Sequence, residues 1–210
     1  MQYKLKSFAY YTSSIFFKLV SNFFKNKLIM SYSLSNEDER INFRYPYMSI
    51  PSVDYLISLS KENNYLTLFE FGSGSSTLFF ESNFQNVTSI ENSKIWANKL
   101  LSKVSDKTNL VFVEYSNKVQ NDEKYSKSIN QFGTFDVIII DGRDRVKCIK
   151  NSINHISSQG LIVLDNSLRR RYKEGIKFLI QEGYKETHFY GWSTYFPLPT
   201  RTTFFQKNIN

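Results

Sequence analysis

Beyond Pro51 the chain alternates between short apolar or period-2 runs and stretches whose apolar residues fall three and four apart. These are the patterns of strands and amphipathic helices. They predict a helix near 51–62, a strand at 66–71, a helix at 75–83, a strand at 87–90, a helix at 93–104 and a strand at 110–114. A looser polar stretch at 116–131 follows, then a strand at 135–140, a helix at 144–156, a strand at 161–164 and a helix at 168–182. Val137–Ile140 and Leu161–Leu164 are apolar on both faces, as central parallel strands between two helix layers must be. Gly160 and Gly183 fall where a helix gives way to a strand, a position that favours glycine. Tyr184–Gly191 and Thr200–Lys207 read as two β runs around a Pro-containing turn. Five strand–helix units closed by a β pair predict an α/β fold: an open, mostly parallel, doubly wound sheet with a C-terminal antiparallel pair.

Residues 1–48 differ from this pattern and are read as an N-terminal basic helical extension of a domain spanning 49–210. Phe8, Tyr11, Ile15, Leu19 and Phe23 recur at helical spacing, with Lys18 and Lys25 off the stripe. The uncharged run from Ser7 to Phe17 is shorter than the roughly 18 residues a membrane span needs, and no small-residue cleavage site follows an apolar core. Residues 1–35 are therefore either a helix packed on the domain or a basic amphipathic helix peripheral to an anionic membrane or partner.

A chain of 210 residues with 41% hydrophobic and 17% aromatic content can bury one good core and is not disordered. Its one cysteine, Cys148, excludes an internal disulfide framework and fits a reducing compartment, so a cytoplasmic location is expected. The formal net charge of +8 is compatible with nucleic acid, a membrane surface or an acidic substrate. It is equally compatible with a general bias toward Lys, Asn, Ile, Phe and Tyr.

The chemistry is concentrated at the strand ends, where ligands bind in open α/β sheets. The residues there are polar: Glu70 to Gly74, Glu91, Glu114-Tyr115, Asp141-Gly142 and Asp165-Asn166-Ser167. Singly, acids cap helices and glycines make turns; five polar ends on one edge suggest a site. Gly72-Ser73-Gly74 follows an apolar strand and opens a helix, and Glu91 ends the next strand seventeen positions after Gly74. Glycines let backbone approach a ligand closely, and a carboxylate about twenty residues on can hold ribose hydroxyls. The pair describes a pocket for a nucleoside-containing cofactor.

Over residues 50–207 the chain resembles the class I S-adenosylmethionine-dependent methyltransferases. The resemblance is carried by Phe69-Glu70-Phe71-Gly72-Ser73-Gly74, by Glu91, by Phe135–Gly142 and by Gly160–Asn166. It implies S-adenosylmethionine as cofactor, with Glu70, Gly72, Ser73 and Gly74 around its methionine part, Glu91 on its ribose and Tyr115 near its adenine. Asp141 then lies nearest the reaction and is the leading catalytic candidate. A dinucleotide-binding dehydrogenase would carry a third glycine where Thr77 stands, and no Gly-Lys-Ser/Thr follows the turn as a P-loop requires. Asp141-Gly142-Arg143-Asp144 replaces the Asn/Asp-Pro-Pro-aromatic run of the amino-methylating branch.

Asp141, Asp165 and Asn166 together offer two carboxylates and an amide oxygen, a set suited to Mg²⁺. They are similar to the metal site of cation-dependent O-methyltransferases, although Asp144 stands where that branch has a lysine. Arg143 and Arg145 follow one strand end and Arg169–Arg171 another. Guanidinium forks recognise carboxylates and phosphates, so the small-molecule or glycan-type acceptor is expected to be anionic; the competing reading makes these arginines solvated helix faces. The aromatic run Phe189–Pro197 reads as a pocket wall, as core or as a dimer contact, and His155 and His188 as structural. O-methylation is the expected activity. A binding module that has lost its chemistry is the alternative, and an RNA-modifying enzyme rests on charge alone.

Overall fold

The computed structural model describes residues 37–63, 66–115, 123–194 and 199–207. Residues 1–35, whose helix reading is given above, and 195–197 of the aromatic run therefore lie outside the described residues.

A short helix α1 (Glu37–Asn42) precedes α2 (Ile50–Glu62), which begins with Pro51 in its first turn, where proline's missing N–H costs nothing. The alternating body runs β1 (Thr67–Phe71), α3 (Ser75–Asn83), β2 (Asn86–Glu91), α4 (Lys94–Leu101) and β3 (Thr108–Phe112). It continues with α5 (Lys124–Lys127), β4 (Phe135–Ile140), α6 (Arg145–Ser152), β5 (Ile156–Leu164) and α7 (Lys173–Gln181), and closes with β6 (Tyr184–Trp192) and β7 (Pro199–Lys207). The seven strands order as β3-β2-β1-β4-β5-β7-β6. The first five are parallel, and β7 lies antiparallel between β5 and β6. Strand order therefore reverses between β1 and β4.

Two apolar clusters cover the two faces of the sheet. Phe69, Phe71, Ile138, Ile140, Ile162 and Leu164 pack on one side; Leu68, Val137, Ile139, Val163 and Phe204 pack on the other. Alternate residues of β1, β4 and β5 thus enter opposite cores, which is why those strands read as continuous apolar runs. A third, smaller cluster joins Ile41 to Leu78 and Leu100. The Tyr45 amide donates to Ser75 Oγ at 2.9 Å and Ser75 Oγ donates back to the Tyr45 carbonyl at 2.9 Å. The segment from α1 to α2 is thereby fastened beside the glycine turn.

Two boundaries differ most from the sequence reading. The strand expected at 161–164 begins at Ile156, because Ile156 pairs with Phe135 across an irregularity in the ladder. The helix expected over 168–182 begins at Lys173, after a 3-10 turn at Arg170–Tyr172. Asn166 turns the chain with φ +51°, and the Ser167 amide is held by the Arg201 carbonyl at 2.9 Å, so the preceding segment is committed to β7. Polar Ser157-Ser158-Gln159 and basic Arg169–Arg171 gave no apolar period to mark either change.

Candidate functional site

The register puts the key residues in one row. Phe71 pairs with Ile90 on one side and Ile140 on the other, and Ile140 pairs with Leu164. One residue further, Gly72, Glu91, Asp141 and Asp165 follow side by side at the carboxyl ends of four neighbouring strands. The ladder still holds them: the Gly72 amide donates to the Ile90 carbonyl at 2.9 Å, and that of Asp141 to the Phe71 carbonyl at 3.1 Å. The row crosses the point where strand order reverses, the expected ligand crevice of such a sheet.

A cleft of about 400 Å³ lies over this row, lined by Gly72, Ser73, Gly74, Glu91, Asp141 and Gly142 among others. Its size matches a small-molecule site. A second cleft of about 250 Å³ contains Tyr115 and shares Gly142, Arg143, Arg145 and Arg171 with the first. Of the residues named from sequence for the cofactor, Gly72, Ser73, Gly74 and Glu91 meet in the first cleft, and Tyr115 lies in the adjoining one.

Glu91 has two differently engaged oxygens. Oε1 accepts the backbone amides of Asn92 and Ser93 at 2.8 and 2.7 Å. Oε2 accepts the Ser73 hydroxyl at 2.7 Å. The carboxylate is thus fixed in orientation, and one oxygen meets only a hydroxyl that another hydroxyl can replace. Trp96 Nε1 donates to the Ser73 carbonyl at 3.1 Å, pinning the glycine turn to α4. Trp96, Asn92, Ile41 and Tyr47 line the cleft and were not expected from sequence. Trp96 alone carried a signal, one turn into the helix after Glu91.

Glu70 lies behind the turn and does not line the cleft. Its Oε2 accepts Thr77 Oγ1 and Ser89 Oγ, both at 2.6 Å, and its Oε1 accepts the Ser76 hydroxyl. Thr77 Oγ1 in turn accepts the Gly74 amide at 2.9 Å. Glu70 therefore shapes the turn from beneath. Burial pushes its carboxyl up to about 7 against the pull of these hydroxyl donors. The folded state then holds a proton more tightly than the unfolded chain, so this contribution to stability is present at pH 4.5 and lost as pH rises toward 7. The loss is about 3 kcal/mol. We expect the unfolding midpoint of wild type to fall more steeply between pH 5 and 7.5 than that of Glu70→Gln; parallel curves would refute the assignment.

The proposed metal ligands do not fit a divalent cation. Asp165 is fully buried; Oδ1 accepts Thr202 Oγ1 at 2.8 Å and Oδ2 accepts the Asn166 amide nitrogen at 2.5 Å. Asn166 thus offers its nitrogen, and not its oxygen, to the neighbouring acid. Asp141 Oδ1 is paired with Arg145 Nη2 at 2.5 Å. The same guanidinium donates to the carbonyls of Gly142 (3.0 Å), Asp141 (2.7 Å) and Asp165 (2.8 Å). A cation already sits between the two strand ends, and it is Arg145, 8% exposed. Among the described residues no group of three or more His, Cys, Asp or Glu could hold a metal ion. Burial, the nearby Asp141 and the opposing Arg145 leave the Asp165 carboxyl at about 7.

Arg145 was read from sequence as facing an acceptor; the structure makes it internal. Arg143, Arg169 and Arg171 do line the cleft. Among its described residues the aromatic run contributes no wall: Phe189 packs on Tyr55 and Phe204 against the core, and Tyr190 and Trp192 are exposed on β6. His155 and His188 bond Gly133, Asn130 and Thr203 in structural roles, and Cys148 is buried, as read. No described helix is long and apolar enough to cross a membrane.

No protein-family model matches the chain, and no curated protein matches it in sequence. Solved structures do. A Klebsiella pneumoniae protein assigned as an O-methyltransferase superposes with a TM-score of 0.62 at 16% identity, covering 91% of this chain and 95% of that one. A Staphylococcus aureus protein assigned as a caffeoyl-CoA O-methyltransferase gives 0.56 at 18% identity, covering 86% and 96%. Precorrin-6y C5,15-methyltransferase from Geobacter metallireducens GS-15 gives 0.53 at 16% identity, covering 73% and 86%. The chain has the class I methyltransferase fold.

Proposed function

We propose that the protein is an S-adenosylmethionine-dependent methyltransferase acting at oxygen on a small-molecule acceptor. The observation that carries this is the cleft over the switch point, where the glycine turn and the oriented Glu91 carboxylate face the same space. The residues fit the cofactor. At Gly74 an added Cβ would meet only Trp96 Nε1 at 3.9 Å and Ser76 Oγ at 4.0 Å. The protein's own packing does not demand glycine there, and a ligand passing close to the turn does.

In this reading Gly72, Ser73 and Gly74 hold the methionine part, Glu91 Oε2 takes a ribose hydroxyl, and Tyr115 borders the adenine. Bound there, the cofactor supplies an electrophilic methyl group, whose bond to sulfur breaks as the acceptor oxygen bonds to it. The acceptor's proton must leave, and we assign its uptake to Asp141. Its side chain is 29% exposed to the cleft, and among the described residues Oδ2 carries no hydrogen bond while Oδ1 is fixed by Arg145. Orientation and one proton transfer are what a direct displacement asks of the protein. The O-methyltransferase descriptions of two structural neighbours support oxygen as the acceptor atom.

Calorimetric titration with S-adenosylmethionine tests the reading. Wild type should bind in the micromolar range, and Glu91→Ala should bind about 10- to 100-fold more weakly, the value of a hydrogen bond to a charged group. Equal affinity in the two proteins, or none in wild type, would remove the cofactor assignment.

A further inference from the structure

Arg143, Arg169 and Arg171 stand on two strand-end loops, after β4 and after β5, and all three line the 400 Å³ cleft. None forms an ion pair with a carboxylate among the described residues. The acids of the cleft are spent elsewhere: Asp141 on Arg145, and Glu91 on two amides and Ser73. Arg171 stacks its guanidinium over Tyr172 at 4.9 Å from the ring centre and donates to that hydroxyl at 2.8 Å. Its side chain is thus held in place while it borders both clefts.

With Asp141 paired to Arg145 and Glu91 the other acid of the cleft, guanidinium charge is in excess, an unfavourable seat for a sulfonium cofactor unless an anion joins it. The cofactor's own carboxylate can satisfy one of the three. Two remain, on the strand ends beside Asp141, where the acceptor must lie.

Resting on the methyltransferase reading, we infer that the acceptor carries an anionic handle, a phosphate or a carboxylate group, gripped by Arg143, Arg169 and Arg171. Planar guanidinium forks match the oxygen pairs of both groups. The handle is separate from the hydroxyl that is methylated: the arginines fix the anion, and Asp141 meets the proton. Neutral acceptors of the same size are then poor substrates, because they offer these cations no partner.

The test is calorimetry on the full chain with inorganic phosphate and, separately, with succinate, at constant chloride, before and after saturation with S-adenosylhomocysteine. Wild type should bind at least one anion in the millimolar range. Arg143→Gln and the double variant Arg169→Gln/Arg171→Gln should each bind it at least tenfold more weakly with unchanged melting temperature. These side chains are exposed, so both proteins should fold. Preference for phosphate assigns a phosphorylated acceptor, and preference for succinate a carboxylic acid. Binding of neither anion, or equal binding by the variants, overturns the inference. Failure of S-adenosylhomocysteine alone to bind, with anion binding intact, counts against the cofactor reading and leaves the anion site standing.

Discussion

Arg145→Ala is expected to destabilise the protein by roughly 3–5 kcal/mol, the usual cost of breaking a buried ion pair from one side. The guanidinium makes its bonds inside the fold, to the Asp141 carboxylate and to three carbonyls on the β4 and β5 loops. Its removal leaves those acceptors facing a void, with Asp165 buried beside them. Burial works against the arginine's charge, and Asp141, Tyr172 and Asp165 together outweigh that penalty and raise its affinity for its proton. Urea denaturation of wild type, Arg145→Ala and Arg145→Lys measures the effect. Lysine should recover only part of the loss, since one ammonium cannot span three carbonyls and a carboxylate. A loss below about 1 kcal/mol in the alanine variant would mean that the guanidinium is an exposed pair, worth what surface pairs are worth.

The two glycines of the turn after β1 should respond in opposite ways to alanine. Gly72 has φ +98°, and an added Cβ would lie 2.7 Å from Gly142 Cα and 2.8 Å from the Gly142 amide nitrogen. Both are backbone atoms that cannot swing aside. Positive φ costs a β-carbon about 1–2 kcal/mol before any clash, so Gly72→Ala should lose on the order of 3 kcal/mol of stability as well as cofactor affinity. Gly74 is extended, with φ 171°, and has room for a methyl. Gly74→Ala should therefore keep its stability within about 0.5 kcal/mol while binding S-adenosylmethionine at least tenfold more weakly. Paired thermal melts and titrations separate the outcomes. A Gly74→Ala protein that binds as tightly as wild type would mean that no ligand passes the turn there.

The fold was legible because parallel strands buried on both faces must be wholly apolar, as Val137–Ile140 and Leu161–Leu164 are. The polar edge was legible for a related reason: carboxylates that end such strands have few ways to be buried alone. What could not be read was direction. Glu70 and Glu91 both end apolar strands; one turns under the glycine loop to meet three hydroxyls, the other turns into the cleft. Only the pleat and the register decide which. Arg145 looked like Arg143, and only the fold, which starts α6 at Arg145 and turns it toward Asp141, places it inward. The amide of Asn166 could present either atom, and Asp165 selected the nitrogen. Phe189 lay in an aromatic run that could have been wall, core or dimer contact, and strand alternation packed it against the core beside Phe204.

The row formed by Gly72, Glu91, Asp141 and Asp165 also bears on how this protein can change over generations. Their mutual spacing is set by the inter-strand ladder of the sheet, so it survives wholesale replacement of the loops that carry Arg143 and Arg169–Arg171. An insertion within β1, β2, β4 or β5 would send its member of the row to the opposite face. On the proposed function, acceptor preference is therefore free to drift by loop exchange, while the cofactor half of the site is inherited with the fold itself.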